Sequence, residues 1–298
     1  MKAVFFEAHD IAEEYFKTHL SDLDLVFVKE PLNSTNASYA KNAEIISTVV
    51  QSRLTADILQ ELPQLRFIVT RSTGYDHIDL AACKDLNICV SYAPDYGTQA
   101  VAEAMFNLLL TLVKQQKPVL ELQGKTLGVI GTGRIGKKVI ALAKAFGMQI
   151  LAYDIYQDMQ AAQQLGYTYT DLPALLQHSD IVTLHAQLTE ATRHLINVET
   201  LQQMKLGAIL INTSRGALVD TPALIRALQE QHLLAAGLDV VEEEDQPDHV
   251  HLEQLKALPN VIVTPHIASK TAEAMERRAA ITLHNIRAFL NNQPVNVL

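Results

Sequence analysis

The stretch Thr126-Leu-Gly-Val-Ile-Gly-Thr-Gly-Arg-Ile-Gly136 decides the fold class of this chain. A short apolar run ends in three glycines at the spacing G-x-G-x-x-G, and an amphipathic helical pattern follows up to residue 146. A strand, a glycine turn and a helix in this order form the dinucleotide-binding fingerprint, in which the N-terminus of the helix points at the pyrophosphate. The residues predicted to bind a dinucleotide here are Gly131, Gly133, Arg134, Ile135 and Gly136.

An acidic residue follows the next predicted strand, Gln149 to Tyr153. This residue, Asp154, stands at about the distance at which the fingerprint places a carboxylate on the adenosine ribose. A carboxylate accepts hydrogen bonds from ribose hydroxyls and repels a 2′-phosphate, and the residues that follow, Ile155 and Tyr156, offer no cation to receive one. The sequence therefore predicts NAD rather than NADP as the cofactor.

Composition narrows the class of protein and its partners. A chain of 298 residues with 48% apolar and 19% charged residues is typical of a globular protein of two domains. The net charge of −9 argues against nucleic acid or an anionic membrane as a partner. Cys83 and Cys89 have no metal-type or redox-type partner and are predicted to be buried and reduced. No apolar run reaches the length of a membrane span and no signal peptide precedes the first strand, so we expect a cytoplasmic enzyme without a metal site.

Two series of alternating strands and helices predict two parallel, doubly wound sheets. The first series has five predicted strands, at residues 3–6, 25–28, 45–50, 67–70 and 88–91. The second has six, at residues 128–130, 150–153, 181–185, 208–212, 235–240 and 261–264. Shorter helices are predicted between strands, at residues 11–19, 55–59, 80–86, 172–177 and 222–231. Two longer helices, at residues 101–114 and 270–291, are predicted after the first and the second series.

Polar side chains end or follow three consecutive strands of the second series: Arg215 after the first, Asp239 and Glu244 at the second, and His266 after the third. Ligands of such sheets bind outside the carboxyl ends of the strands, so we expect these side chains to converge. Arginine holds a carboxylate through two parallel hydrogen bonds, and histidine gives up a proton near neutral pH. Taken singly, such an arginine is more often a surface ion-pair partner, and such a histidine is more often a structural residue. Together, beside a dinucleotide site, they predict reduction of a 2-oxo acid.

Six segments of the chain also carry a resemblance to a known family. They are Arg-Ser-Thr-Gly-Tyr-Asp-His-Ile-Asp-Leu (71–80), Tyr-Gly-Thr-Gln-Ala-Val-Ala-Glu (96–103), the fingerprint itself, Asn-Thr-Ser-Arg-Gly-Ala-Leu-Val-Asp (212–220), Gly-Leu-Asp-Val (237–240) and Thr-Pro-His-Ile-Ala (264–268). The chain resembles the D-isomer-specific 2-hydroxyacid dehydrogenase family over nearly its whole length, most of all the NAD-dependent D-lactate dehydrogenase branch.

The resemblance implies a fold and a set of roles. It implies an α/β protein with a Rossmann NAD-binding domain at residues 98–269 and a flavodoxin-like substrate domain at residues 1–97 and 270–298, both with doubly wound parallel sheets. Arg215 would bind the substrate carboxylate, and His266 would be the acid/base, supported by Glu244. The further contacts that the resemblance implies are Thr73, Gly74 and Tyr96 for the substrate, and Thr213 and Asp239 for the nicotinamide half of NAD.

Pyruvate and D-lactate are the substrate pair expected first, with glyoxylate or hydroxypyruvate as the alternative. A function of another class, a non-catalytic NADH-sensing binding protein on the same fold, is also left open, because the fold alone does not decide function. Members of the family usually have an arm that helps to build a dimer. Here only residues 115–125 stand in its place, so a homodimer stays an open expectation.

Overall fold

The computed structural model of this protein describes residues 1–8, 10–244, 246 and 250–298. The chain divides into two units, one formed by Met1–Gly97 together with Ala272–Leu298, the other by Thr98–Thr271. No helix within the described ranges is long and apolar enough to cross a membrane.

The first unit contains a five-stranded sheet in which every pair of neighbours is parallel. Its strands are β1 (Lys2–Phe5), β2 (Asp24–Phe27), β3 (Ile45–Thr48), β4 (Phe67–Thr70) and β5 (Cys89–Tyr92). Their order across the sheet, β2-β1-β3-β4-β5, is that of a flavodoxin-like fold. The predicted fold class is confirmed for this unit.

The second unit contains a seven-stranded parallel sheet. Its strands are β6 (Thr126–Ile130), β7 (Gln149–Tyr153), β8 (Thr168–Tyr169), β9 (Ile181–Leu184), β10 (Ala208–Asn212), β11 (Leu233–Leu238) and β12 (Val261–Val263). The order β12-β11-β10-β9-β6-β7-β8 contains the Rossmann arrangement of two halves that meet between β6 and β9. The Rossmann prediction is confirmed, but the predicted count of six strands is wrong. The missing strand, β8, has two residues and is too short to show a hydrophobic period.

Eleven helices of the described chain cover the faces of the two sheets. They are α1 (Asp10–His19), α2 (Ala56–Gln60), α3 (Leu80–Asp85), α4 (Thr98–Gln115), α5 (Arg134–Ala145), α6 (Met159–Leu165), α7 (Leu172–His178), α8 (Val198–Gln203), α9 (Thr221–Gln229), α10 (Val250–Ala257) and α11 (Ala272–Leu290). The starts of α6, α7 and α9 follow from local capping, because Asp158, Asp171 and Asp220 each accept the backbone N–H three residues ahead. The helices α6, α8 and α10 were not predicted, and each has eight residues or fewer.

Alternate residues of each central strand enter opposite faces of the sheet, so both faces carry an apolar core. In the first unit, Phe5 and Phe67 pack with α11, where Phe289 stacks on Phe67 at 4.3 Å between ring centroids. In the second unit, α4 and α5 pack on one face of the sheet and α7 to α9 on the other. Cys83 is buried as predicted, whereas Cys89, at the start of β5, is partly exposed, and both are free thiols.

Candidate active site

The glycine turn between β6 and α5 has two glycines that the protein itself requires. A Cβ atom on Gly131 would lie 2.6 Å from the carbonyl group of His185, and one on Gly136 would lie 2.0 Å from the carbonyl oxygen of Gly131. Gly133 is different, because a Cβ atom there would meet nothing within 4 Å. The protein's own packing therefore does not explain this glycine, while a bound pyrophosphate that approaches the backbone does.

The N-terminus of α5, the helix that follows the turn, has no side-chain cap and is suited to bind an anion. Gly133 is the N-cap residue of α5 and brings no side chain that could accept the first N–H groups of the helix. These N–H groups carry the positive end of the helix dipole. The turn, including Arg134 and Ile135 in the first helical turn, therefore fits the phosphates of a dinucleotide.

Asp154 follows β7 and lies against the same turn. Its Oδ2 accepts hydrogen bonds from the backbone N–H of Thr132 at 2.6 Å and from the Thr132 hydroxyl at 3.1 Å. Its Oδ1 accepts the backbone N–H of Tyr156 at 2.9 Å. The carboxylate is thus held beside the fingerprint glycines, where the sequence predicted it.

Two buried polar atoms at the carboxyl ends of β9 and β10 lack a partner within the described part of the chain. They are Oγ1 of Thr213 and Nδ1 of His185. His185 is half-buried as a residue, but its ring is shielded, and this burial lowers its pKa from 6.5 to about 3. An orphaned hydroxyl at this edge of the sheet is suited to a polar ligand, so Thr213, like Gly133, fits a bound dinucleotide.

Asp239, at the end of β11, is almost fully buried, and its carboxylate is engaged with the chain itself. Oδ1 accepts the Thr264 hydroxyl at 2.5 Å and the Ile267 N–H at 2.9 Å, and Oδ2 accepts the Ala268 N–H at 2.9 Å. Asp239 therefore anchors the turn on both sides of His266. The family resemblance implied a nicotinamide contact for Asp239. The anchoring was missed, because the donors stand more than 20 residues away along the chain.

His266 lies on this anchored turn with a positive φ of 52°, a conformation that is uncommon outside glycine. Its Nδ1 is 2.5 Å from Oε1 of Glu244, and Oε2 of Glu244 accepts the backbone N–H of Val241 at 2.9 Å. The two side chains are about one third exposed, at 33% and 29%. Since a carboxylate only accepts hydrogen bonds, Nδ1 is the donor and Nε2 is left for another partner.

Arg215 lies at the start of a short 3-10 turn, Gly216–Leu218, which follows β10. Its Nη1 donates to the carbonyl oxygen of Ser214 at 2.9 Å, and the Asn212 side chain donates to the Arg215 carbonyl oxygen at 2.8 Å. A Cβ atom on Gly216 would lie 2.1 Å from the carbonyl carbon of Val241. The Arg215 turn thus packs directly on the segment that leads to Glu244, and Glu244 contacts His266, so the three predicted residues lie on neighbouring segments of the second unit.

A second ionic group holds the same segment and was missed by the sequence analysis. The Glu242 carboxylate pairs with Nη2 of Arg193 at 2.5 Å and with Nε2 of His194 at 2.8 Å. Both partners lie on the loop between β9 and α8, about 50 residues before Glu242. Within the described ranges, no group of three His, Cys, Asp or Glu side chains could hold a metal ion.

The predicted substrate residues lie in the first unit. The loop after β4 is fixed by the Thr73 hydroxyl, which donates to the Ala93 carbonyl oxygen at 3.0 Å, and by the Ser72 hydroxyl, which donates to that of Gly74 at 2.6 Å. The N–H groups of Thr73 and Gly74 have no acceptor among the residues that the structure describes. Tyr96 is buried, and the Arg278 guanidinium lies over its ring at 5.9 Å from the centroid.

Comparison with known proteins finds relatives that match nearly the whole chain. The family model described as "D-isomer specific 2-hydroxyacid dehydrogenase, NAD binding domain" matches residues 97–268. The chain is 36% identical to a glyoxylate reductase of Aeropyrum pernix, over 100% of this chain and 94% of that protein. It is 34% identical to the D-lactate dehydrogenase of Escherichia coli, over 92% and 93%. Among solved structures, D-lactate dehydrogenase of Aquifex aeolicus complexed with NAD and lactic acid matches with a TM-score of 0.92 and 37% identity, over 98% of this chain and 96% of that one.

Proposed function

This chain belongs to the D-isomer-specific 2-hydroxyacid dehydrogenase family, and we propose that it reduces pyruvate to D-lactate within that family's chemistry. The family activity is that of an NAD-dependent oxidoreductase which interconverts a 2-oxo acid and its D-2-hydroxy acid. The choice of pyruvate and the roles of individual residues are the proposed part.

The observation that supports the proposal most directly is the pair formed by His266 and Glu244 beside the Arg215 turn. Glu244 holds Nδ1 of His266, so the ring has one orientation and directs Nε2 away from the carboxylate. NADH, when bound, supplies the hydride for the carbonyl carbon. His266 gives a proton from Nε2 to the carbonyl oxygen in reduction and takes it back in oxidation.

Arg215 is proposed to bind the substrate carboxylate. A guanidinium holds a carboxylate by two parallel hydrogen bonds and stays charged at every physiological pH, so it selects 2-oxo acids over neutral ketones. In the first unit, the N–H groups of Thr73 and Gly74 are proposed as further carboxylate donors and Tyr96 as a substrate contact. We accordingly assign substrate binding to residues 1–97 and 270–298.

For the cofactor, we propose that the glycine turn with Arg134 and Ile135 holds the pyrophosphate and that Asp154 holds the adenosine ribose. The unpartnered hydroxyl of Thr213 supports a contact with the nicotinamide half. Asp239 is proposed to act there mainly through the His266 turn that its carboxylate anchors. The NAD-binding region is accordingly proposed to span residues 98–269.

Pyruvate is placed first because the solved structure with the TM-score of 0.92 holds lactic acid and NAD. Glyoxylate is the second candidate, because one relative whose match covers the whole chain is a glyoxylate reductase. Hydroxypyruvate is a further test compound of the same chemical class.

The test is NADH oxidation with pyruvate, glyoxylate, hydroxypyruvate, 2-oxobutyrate and phenylpyruvate, with the chirality of each product determined. We expect the highest kcat/KM for pyruvate, with D-lactate as the product. A higher kcat/KM for glyoxylate than for pyruvate would make glyoxylate the proposed substrate. NADH binding without turnover of any compound would contradict the proposal and favour a sensing role.

Two variants test the residue roles in the same assay. His266→Ala is expected to lower kcat by roughly 10²–10⁴-fold while NADH binding is kept, and Arg215→Lys to raise KM and lower kcat, since an ammonium does not reproduce the paired contact. The exposed Arg226→Lys on α9 is the matched control. Wild-type turnover in either site variant would remove that residue from the mechanism.

We also propose that the enzyme works in the cytoplasm, where its free thiols stay reduced. Light scattering after gel filtration distinguishes a monomer from a homodimer for a chain with so short a segment before β6.

A further inference from the structure

A line of three side-chain hydroxyls runs to Asp154 from the edge strand β8 and the residue just before it. The Tyr167 and Tyr169 hydroxyls are 3.1 Å apart, and that of Tyr169 is 2.7 Å from the hydroxyl of Thr132. Thr132 stands between the first two glycines of the fingerprint and reaches Oδ2 of Asp154. The line thus connects β8, which was not predicted from the sequence, with the carboxylate of Asp154, which was.

Counting protons gives the line a direction. The Asp154 carboxylate only accepts, so the single proton of the Thr132 hydroxyl goes to Asp154. Tyr169 must then donate to Thr132, and its oxygen accepts the backbone N–H of Asp158 at 3.0 Å. Tyr167 in turn donates to Tyr169. Each hydroxyl therefore donates its one proton to the next group in the line, in the direction of Asp154.

Burial shields two of the three hydroxyl-bearing residues from competing water, while Tyr169 between them is partly exposed. Tyr167 is 6% exposed and Thr132 is 3% exposed. Burial first, and then the hydrogen bond to Tyr169, raise the pKa of Tyr167, so its hydroxyl stays protonated and remains a donor at neutral pH. Hydrogen bonds of this kind are directional and fix the groups that they join.

The same contacts define what Asp154 has left to offer. A carboxylate has about four acceptor positions, and the chain fills two on Oδ2, from Thr132, and one on Oδ1, from Tyr156. The remaining position is therefore on Oδ1. It suits a donor hydroxyl, such as that of a ribose, whereas a phosphate ester brings negative charge to a carboxylate that cannot turn away.

We propose that Tyr169 and Thr132 are specificity-determining residues for the dinucleotide, which act by fixing Asp154 in the orientation that accepts NAD and rejects NADP. This inference rests on the proposed role of Asp154 at the adenosine ribose. Tyr169 is a positioning residue in it, since it reaches the carboxylate only through Thr132.

The test measures the dissociation constants of NADH and NADPH by isothermal titration calorimetry, without substrate. Tyr169→Phe removes the hydroxyl and keeps the ring, and Thr132→Val keeps the shape of the side chain. Each is expected to weaken NADH binding by about fivefold, the size of one net hydrogen bond. NADPH binding should change less, so the NADH:NADPH preference should narrow. Tyr39→Phe, at a tyrosine that is 57% exposed in the first unit, is the matched control and should match the wild type.

Asp154→Ala distinguishes the proposed ribose contact of Asp154 from the proposed positioning role of Tyr169 and Thr132. If Asp154→Ala weakens NADH binding while Tyr169→Phe and Thr132→Val both keep the wild-type preference, the positioning role is overturned and the role of Asp154 stands. If Asp154→Ala itself leaves NADH binding unchanged, the proposed ribose contact fails, and the inference fails with it. Thermal unfolding of each variant confirms that it is folded, and Thr132→Val carries the test if Tyr169→Phe does not fold.

Discussion

Replacing Gly216 by alanine should damage catalysis while cofactor binding is kept. An ideal Cβ atom on Gly216 would lie 2.1 Å from the carbonyl carbon of Val241 and 2.2 Å from the nitrogen of Glu242. Ordinary contacts of a Cβ atom begin near 3.4 Å, so the two backbone segments must separate by about 1.3 Å. Both close contacts are with backbone atoms, which cannot rotate away as a side chain can.

This separation acts on the residue that orients the proposed acid/base. The carboxylate of Glu244 is held by the Val241 N–H at 2.9 Å and by His266 Nδ1 at 2.5 Å. A displacement of about 1 Å in Val241 breaks one of these two hydrogen bonds or carries His266 along with it. Misplacement of catalytic groups by about 1 Å costs on the order of 100-fold in rate, and overpacking costs about 1–3 kcal/mol of stability.

The assay compares kcat, the NADH dissociation constant and the urea-derived free energy of unfolding. Gly207→Ala is the control, because its φ of +79° penalises alanine while a Cβ atom there meets nothing within 4 Å. It should lose about 1–2 kcal/mol of stability and keep its kcat, since Gly207 precedes β10 at the edge of the sheet opposite to Arg215. A kcat of Gly216→Ala within about threefold of the wild type would refute the reasoning, because it is far from the 100-fold loss expected. A loss of NADH affinity together with kcat would show that the substitution disturbs the cofactor site as well as the pair formed by Glu244 and His266.

Three further predictions, made with four substitutions, test other parts of the second unit. Gly133→Ala should keep the stability within about 1 kcal/mol and weaken NADH binding, whereas Gly136→Ala should lower the free energy of unfolding by about 1–3 kcal/mol or more; equal unfolding curves for the two variants in urea would contradict this. Because the folded-state pKa of His185 is about 3 and its ordinary value is 6.5, the unfolded chain binds the extra proton between these values, and stability falls as the pH drops below 6.5. Between neutral pH and about pH 5, the wild type should therefore lose about 2 kcal/mol more than His185→Gln in urea titrations, and equal losses would rule out this cause. Glu242→Gln should lower kcat by about three- to tenfold by loosening the segment before the catalytic carboxylate, with less than about 1 kcal/mol lost, since Arg193 is 54% exposed; an unchanged kcat would show that the segment does not need this pair.

Much of the fold was predictable because its signals are local. The glycine turn between β6 and α5 is written in six residues, and each long strand carries an apolar run that a parallel sheet buries on both faces. The order of elements along the chain then favoured two doubly wound sheets, since parallel strands need crossover helices. Arg215 and His266 could be named from the sequence because they follow strands whose carboxyl ends share one edge of a sheet, whereas the choice of Glu244 within its acidic run rested on the family resemblance.

Only the tertiary structure decided how these residues are held. The strand β8 has only two residues and is defined by its pairing with β7. A hydrophobic period cannot be recognised in so short a strand, so neither β8 nor the position of the Tyr169 hydroxyl could be predicted. The hydrogen bonds that anchor His266 through Asp239, and those that orient Asp154 through Thr132, join residues 22 to 29 positions apart, and Tyr169 reaches Thr132 across 37. The sequence determined which side chains arrive at the sheet edge, because strand ends are set by neighbouring residues. The geometry of each side chain was decided by donors and acceptors from distant segments, which meet only when the sheet assembles.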